Sequence, residues 1–326
     1  MDALKIAAEI DIAAAAGRLS EVVHKTPLVP VDVPDERVTC KLKLECLQET
    51  GSFKARGAWN QISQLTPAER RAGVCATSSG NHGRAVAWAA RRAGVPATLF
   101  MPANVYKTKL EACRAEGAEV FLFPTRAEAE AACAERVAAG LVLIHPYDAQ
   151  RTIEGAGTVG REIAQDDPDV ELVVFPVGGG GLIAGSSLAI ARELGDEVAV
   201  LGVEPAGSPN LTAALEVGRP VRIEPIETEV QGLCPIDTGA INLALCARYV
   251  EGMITLTDEE IFAAQRELVV NQGLIVEAAG AAAFAAVWHQ ALPPELVGGR
   301  SRGHPLRTVC VVSGGNADPE QLEALK

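Results

Sequence analysis

The chain has 326 residues, of which 48% are hydrophobic, 4% are aromatic and 22% are charged. This balance is typical of a folded globular protein of about two domains, and it excludes a largely disordered chain. The formal net charge is −13, and no lysine- or arginine-rich run is present. Both features argue against a nucleic-acid-binding protein, which needs a basic surface.

The chain also lacks the sequence features of an exported or membrane-bound protein. Its first residues show no basic region followed by an apolar stretch, so no secretory signal peptide is predicted. The most apolar stretch, 274–292, contains Glu277, His289 and Gln290 and is too polar to predict a membrane span. The eight cysteines form no C-x-x-C pair, which favours reduced thiols over disulfides. We therefore expect a cytoplasmic protein with no membrane or nucleic-acid partner.

Short β-branched runs alternate along the chain with longer helical runs. The predicted strands are 74–77, 97–101, 119–123, 141–144, 172–175, 198–203 and 308–312. The predicted helices are 83–92, 107–116, 126–138, 182–194 and 259–271, the last preceded by a capping box of Thr257 and Glu260. This alternation predicts an α/β fold with parallel sheets that have helices on both faces.

The order of these elements also predicts two domains. Residues 73–148 form a compact group of four strands with their helices. We therefore predict a small domain, 73–148, inserted into a larger domain made of 1–72 and 149–326.

Three glycine-rich loops follow predicted strands, at 78–83, 178–181 and 313–316. Ligands of open α/β sheets bind at the carboxyl ends of strands, where backbone N–H groups and the next helix attract an anion. Four consecutive glycines at 178–181 would be a costly choice for an ordinary turn, because each loses much backbone entropy on folding. The loop at 178–181 therefore predicts a phosphate site.

Two different phosphate ligands fit the residues. Gly179, Gly181 and Ala184 match the G-x-G-x-x-A pattern of dinucleotide sites, with Glu204 near the expected acidic position. That interpretation leaves the other two loops unexplained. The alternative starts from Lys54, which stands beside Phe53 among small residues where a helix is predicted to begin. A helix amino terminus and partial burial would both lower the pKa of its ammonium group.

Segment 50–57, T-G-S-F-K-A-R-G, closely resembles the cofactor-lysine motif of the fold-type II enzymes that use pyridoxal 5′-phosphate (PLP). The likeness is to the branch of threonine/serine dehydratases and serine racemase. Loops 78–83, 176–181 and 313–316 resemble other signatures of that family in the same order, and 145–148 and 202–205 are further matches. The resemblance runs from about residue 26 to 318. It implies two open, twisted, mostly parallel sheets, as in the tryptophan synthase β chain.

The resemblance also implies a role for each matching residue. Lys54, next to Phe53, would carry the cofactor as a Schiff base, and Gly178, Gly179, Gly180 and Gly181 would bind its phosphate. Asn81 would bond the ring hydroxyl, and Ser313 would meet the pyridine nitrogen. The loop that takes the substrate carboxylate would consist of Ser78, Ser79, Gly80, Asn81 and His82.

The implied reaction is loss of water from L-threonine or L-serine, giving a 2-oxo acid and ammonia. A serine hydroxyl cannot keep the pyridine nitrogen protonated, which favours β-elimination, and Lys54 is placed to take the Cα proton. In racemases of this branch, the residue matching Ser79 protonates the opposite face of Cα, so a serine racemase is the alternative. An NAD-dependent oxidoreductase is a more distant one.

Three details of the sequence qualify these expectations. Segments 154–158, 230–233 and 277–280 depart from the family pattern and leave the identity of the substrate open. In relatives that bind a divalent cation, the ligands come from the positions that correspond to Glu204, Ser208 and Asn210 of this chain. Asn210 lacks the charge of the usual aspartate, so we predict no metal. Relatives are commonly dimers, which implies a homodimer here.

Overall fold

A computed structural model describes residues 1–78 and 80–325. The strands in this part are β1 Leu28–Val31, β2 Val38–Leu44, β3 Val74–Thr77, β4 Ala97–Pro102, β5 Glu119–Phe123, β6 Val142–Leu143, β7 Leu172–Pro176, β8 Ala199–Pro205, β9 Gly252–Leu256 and β10 Leu306–Val312. The helices are α1 Ala3–Glu9, α2 Ile12–Leu19, α3 Lys54–Ile62, α4 Pro67–Ala72, α5 Asn81–Ala93, α6 Lys107–Ala115, α7 Arg126–Ala138, α8 Gln150–Asp166, α9 Gly181–Leu194, α10 Asn210–Val217, α11 Ala240–Tyr249, α12 Asp258–Arg266, α13 Ala278–Trp288, α14 Pro294–Val297 and α15 Pro319–Leu325.

The strands form two sheets. The larger has the order β1-β2-β10-β7-β8-β9, with β1 antiparallel to β2 and the other pairs parallel. The smaller has the order β5-β4-β3-β6 and is parallel throughout. The predicted α/β fold with two mostly parallel sheets is therefore confirmed. The strands of the smaller sheet all lie within the predicted small domain, whose exact limits remain a prediction.

All seven predicted strands are present, but β1, β2 and β9 were missed. Strand β2 reads V-T-C-K-L-K-L, and its alternating lysines are typical of a half-exposed surface strand. In the fold it lies between β1 and β10, and Lys43 is fully buried. Strand β1 was missed because it has only four residues and contains Pro30, and proline argues against a strand except at a sheet edge, where β1 lies.

The helix predicted at 259–271 begins with the expected capping box. The side chain of Thr257 accepts from the backbone of Glu260, whose carboxylate accepts from the backbone of Thr257 at 2.8 Å. The α-helical part ends at Arg266, and one π-helical turn, Glu267–Asn271, continues it.

The larger sheet is buried on both faces, as expected for a parallel sheet covered by helices. On one face α13, which is rich in alanine, packs against β7, β8 and β10. On the other face α8 and α9 pack closely together. Within the described residues, no helix is both long enough and apolar enough to cross a membrane.

Candidate active site

A cavity of about 410 Å³ lies at the carboxyl ends of strands from both sheets. Ser78 directly follows β3, Ser313 directly follows β10, and Gly178 is the second residue after β7. The described residues predicted from the sequence all line it: Phe53, Lys54, Ser78, Gly80, Asn81, His82, Gly178, Gly179, Gly180, Gly181 and Ser313. Ser79 lies outside the described residues. The fold thus brings together segments that are far apart in the sequence.

Lys54 is the first residue of α3, and its amine is held inside this cavity. Its Nζ donates a hydrogen bond of 2.7 Å to the carbonyl oxygen of Pro146 and lies 4.8 Å from the ring centre of Phe53. Desolvation lowers the pKa of Lys54 to about 8, because burial disfavours the charged amine. A lysine with this pKa is a better nucleophile and base near neutral pH than an ordinary surface lysine.

The start of α3 is anchored by an ion-pair network behind the lysine. Arg56, only 1% exposed, pairs with Glu45 at 2.7 Å and with Glu162 at 2.6 Å. Lys43 is also buried and pairs with Glu162 at 2.6 Å. These two carboxylates raise the pKa of Arg56, and Arg56 keeps the pKa of Glu45 below its usual value despite complete burial. The network ties α3 to β2 and α8, so the position of Lys54 is set by three elements.

The glycine loop passes from β7 into the amino terminus of α9. Gly180 adopts a left-handed conformation with φ of 88°, which favours glycine. A Cβ atom on Gly179 would come within 2.3 Å of the Tyr147 ring, so the close packing of that ring requires glycine. The first N–H groups of α9 have no acceptor within the helix, and the helix dipole is positive at this end. The loop therefore offers the donors and the field that an anion needs.

Two residues of the predicted carboxylate loop have fixed partners. The ring Nε2 of His82 is 2.8 Å from the carbonyl oxygen of Ile144. Desolvation, assisted by the nearby Lys54 charge, lowers the pKa of His82 to about 3, so the ring is neutral. Asn81 donates from its amide nitrogen to Glu277, and its amide oxygen accepts from Asn316 at 2.8 Å. These two contacts fix the orientation of the Asn81 amide at the cavity wall.

Ser313 is held next to the lysine segment by backbone pairing. Its carbonyl oxygen accepts from the N–H of Phe53 at 3.1 Å, and Ser52 forms a β-bridge with Gly314. The side chain of Ser313 is nearly buried at the cavity wall. The end of β10 and the start of α3 are therefore fixed relative to each other.

Glu277 and Tyr147 are among the cavity-lining residues to which the sequence assigned no role. Glu277, at the amino end of α13, accepts a hydrogen bond from Asn81, and burial raises its pKa. Tyr147 packs its ring on the glycine loop and donates from its hydroxyl to Asp237 at 2.9 Å. Both belong to segments noted only as matches to, or departures from, a family pattern. The sequence signal for Glu277 was an acidic residue at the start of an apolar, alanine-rich stretch.

The predicted weak metal candidates have other partners. Both carboxylate oxygens of Glu204 accept backbone N–H groups at the start of α10, from Leu211 at 2.8 Å and from Thr212 at 2.9 Å. The amide of Asn210 donates to Ser208 Oγ at 3.0 Å. Glu204 thus serves as the cap that α10 lacks from its own N-cap residue. Glu204 is also fully buried and does not line the cavity, which weakens the dinucleotide interpretation.

Comparison with known proteins identifies similar sequences and folds over nearly the whole chain. Residues 19–314 match the sequence profile of the family described as "Pyridoxal-phosphate dependent enzyme". The L-threonine ammonia-lyase of Thermotoga maritima is 39% identical over 321 residues, which cover 97% of this chain and 77% of that protein.

Solved structures with a similar fold over nearly the whole chain include a threonine deaminase and a serine racemase. The T.th. threonine deaminase has a TM-score of 0.83 and 35% identity, covering 94% of this chain and 97% of that one. Maize serine racemase has a TM-score of 0.87 and 29% identity, covering 96% of this chain and 94% of that one.

Proposed function

Because the chain belongs to the pyridoxal-phosphate-dependent enzyme family, we propose that it is an ammonia-lyase that removes water from L-threonine or L-serine. The products would be a 2-oxo acid and ammonia. The similarity to the L-threonine ammonia-lyase of Thermotoga maritima and to the T.th. threonine deaminase supports this choice. The observation that carries it is the Lys54 amine, with its lowered pKa, in the same cavity as the glycine loop.

The residues of the cavity fit PLP. Lys54 offers a desolvated amine for the aldehyde, and 178–181 offers N–H donors at a helix amino terminus for the phosphate. Ser313 offers a hydroxyl rather than a carboxylate at the cavity wall. A hydroxyl would leave the pyridine nitrogen unprotonated, which suits elimination better than prolonged charge storage in the ring.

The chain's own residues would then bind the substrate and move its proton. When bound, PLP supplies the electron sink that stabilises negative charge on the substrate Cα. Lys54 Nζ, held by the Pro146 carbonyl, would accept the Cα proton. Asn81, the first residue of α5, and Ser78, in the loop before it, would bind the substrate carboxylate with the help of the helix dipole. His82 is neutral and hydrogen-bonded to Ile144, so we give it no proton-transfer role.

The proposal is tested by a visible spectrum of the purified protein with PLP and by assays with a panel of β-hydroxy amino acids. We expect absorbance from lysine-bound PLP and 2-oxobutyrate or pyruvate from L-threonine or L-serine. Lys54→Ala should lose both, whereas Lys107→Ala, at an exposed lysine of α6, should keep both. A protein that does not bind PLP, or a Lys54→Ala variant with near-normal turnover, would overturn the proposal.

A serine racemase is the second candidate. It is favoured by the fold similarity to maize serine racemase and by the presence of Ser79 in the motif 78–83. Measuring pyruvate, 2-oxobutyrate and D-serine in one incubation with L-serine and L-threonine separates the two activities. If D-serine forms, Ser79→Ala should reduce it much more than it reduces pyruvate.

We also propose that the protein acts in the cytoplasm as a homodimer. The cysteines of the described residues are free thiols, which suits a reducing compartment. The dimer is proposed only by analogy with relatives. Light scattering coupled to gel filtration checks it, and a monomer mass at micromolar concentration would contradict it.

A further inference from the structure

The glycine loop is supported from behind by two side chains that do not line the cavity. The amide nitrogen of Asn242 donates to the Gly179 carbonyl oxygen at 2.7 Å, and the Thr238 hydroxyl donates to the same oxygen at 3.2 Å. Asn242 is 0% and Thr238 1% exposed. The loop therefore lies between these two side chains and the cavity.

These two hydrogen bonds determine the direction of the next N–H group. The peptide bond between Gly179 and Gly180 is trans, since the cis bond in the described residues joins Glu224 to Pro225. In a trans peptide the carbonyl and the N–H point in opposite directions. With the Gly179 carbonyl held by Asn242 and Thr238, the Gly180 N–H points away from them, toward the cavity side of the loop.

This peptide would not hold its direction without support. Both of its residues are glycine, and glycine rotates about its backbone bonds with few steric limits. Gly180 already adopts the left-handed conformation, with φ of 88°. Rotating the peptide by half a turn would remove one N–H from the anion site and present a carbonyl oxygen instead.

Asn242 is itself fixed by the segment that carries Tyr147 and Asp148. The carboxylate of Asp148 accepts from the backbone N–H groups of Ile241 at 3.1 Å and of Asn242 at 3.0 Å, which caps α11. The amide of Asn242 also donates to the Tyr147 carbonyl oxygen at 3.2 Å. Asn242 therefore lies at the start of α11, where Asp148 caps the helix and fixes the position of Asn242 next to the loop.

We propose that Asn242 and Thr238 are positioning residues that keep the Gly180 N–H directed at the cofactor phosphate. This inference rests on the proposed function, because it takes the loop at 178–181 as the phosphate site of PLP. Neither side chain lines the cavity, and both donate to the loop, so the phosphate should be the part of the cofactor that their loss affects most.

The test compares PLP with pyridoxal, which carries the same aldehyde and ring but no phosphate. The dissociation constants of both are measured by absorbance titration of the cofactor-free protein. Thr238→Val and Asn242→Leu remove the donors with little change in volume, and together they should weaken PLP binding about tenfold or more. Pyridoxal binding should change less than about twofold, and Thr238→Ser, which keeps the hydroxyl, should bind PLP normally.

Ser186→Ala is the matched control, because it removes a buried hydroxyl of α9 that contacts α8 rather than the loop. It should leave both dissociation constants unchanged. Equal losses for PLP and pyridoxal in the double variant would assign a general structural role and overturn the inference, and so would unchanged PLP binding. If the unaltered protein does not bind PLP, the proposed function fails. If the unaltered protein binds PLP but the double variant shows no phosphate-specific loss, the proposed function stands and this inference fails.

Discussion

The Lys54 amine donates a 2.7 Å hydrogen bond to the carbonyl oxygen of Pro146. Lys54 begins the first α-helix after β2 of the larger sheet, whereas Pro146 follows the last strand of the smaller sheet. The bond therefore joins the two sheets at the reacting atom. Tyr147 and Asp148, the next two residues after Pro146, contact the glycine loop and cap α11. One short segment thus connects the lysine with the predicted phosphate site.

The lowered pKa of Lys54 predicts how the cofactor-free protein takes up PLP at different pH values. Only the neutral amine can attack the aldehyde, so the rate should rise about tenfold per pH unit below the pKa of about 8 and level off above it. An ordinary lysine would give a rate that keeps rising to about pH 10. Stopped-flow absorbance measures this rate, and a rate still rising steeply at pH 9.5 would contradict the lowered pKa.

Replacing Glu277 with glutamine should stabilise the cofactor-free protein. Burial raises the pKa of Glu277, so keeping it ionised at neutral pH costs folding free energy, and that cost disappears when the pH falls below its pKa in the unfolded chain. Glutamine carries no charge and can still accept from Asn81. Thermal unfolding should therefore show a higher melting temperature for Glu277→Gln than for the unaltered protein at pH 7.5, with a smaller difference near pH 4. A lower melting temperature at pH 7.5 would show that the charge is stabilising.

The buried ion-pair network predicts a large loss of stability when Arg56 is replaced. Arg56→Met leaves the carboxylate of Glu45 buried without its guanidinium partner, and such changes cost about 3–5 kcal/mol. Urea unfolding followed by circular dichroism measures the loss. Lys107→Met is the control, because it breaks only an exposed pair with Glu111 and should change stability little. A loss below about 1 kcal/mol for Arg56→Met would mean that the network is not needed for stability.

Activity should not depend on a divalent cation at Glu204. Its carboxylate already accepts the N–H groups of Leu211 and Thr212, and Asn210 adds no negative charge. Within the described residues, no group of three or more histidine, cysteine, aspartate or glutamate side chains could hold a metal ion. Dialysis against EDTA followed by assay with and without added Mg²⁺ should change the rate less than about twofold. A rate restored only by Mg²⁺ would contradict this prediction.

The sequence by itself determined the fold class and the segments that form the cavity. Local patterns are enough to recognise the buried β-branched strands, the helical runs between them and the three glycine loops that follow strands. Each of these features was predicted from its own residues. Strand β2 was not readable in this way. Lys41 and Lys43 look like surface positions in the sequence. In the fold Lys43 is buried and pairs with Glu162, which lies 119 positions further along the chain.

The tertiary structure alone decided how the site residues are held. Nothing near Lys54 in the sequence indicates that the Pro146 carbonyl will accept from it, or that Asn242 will hold the Gly179 carbonyl. These contacts join segments 92 and 63 residues apart, and each depends on where the two sheets and α11 come to rest. Local sequence fixes which groups are available, because it sets residue type and helix ends. Distances and pKa values follow from burial, which is a property of the packed chain as a whole.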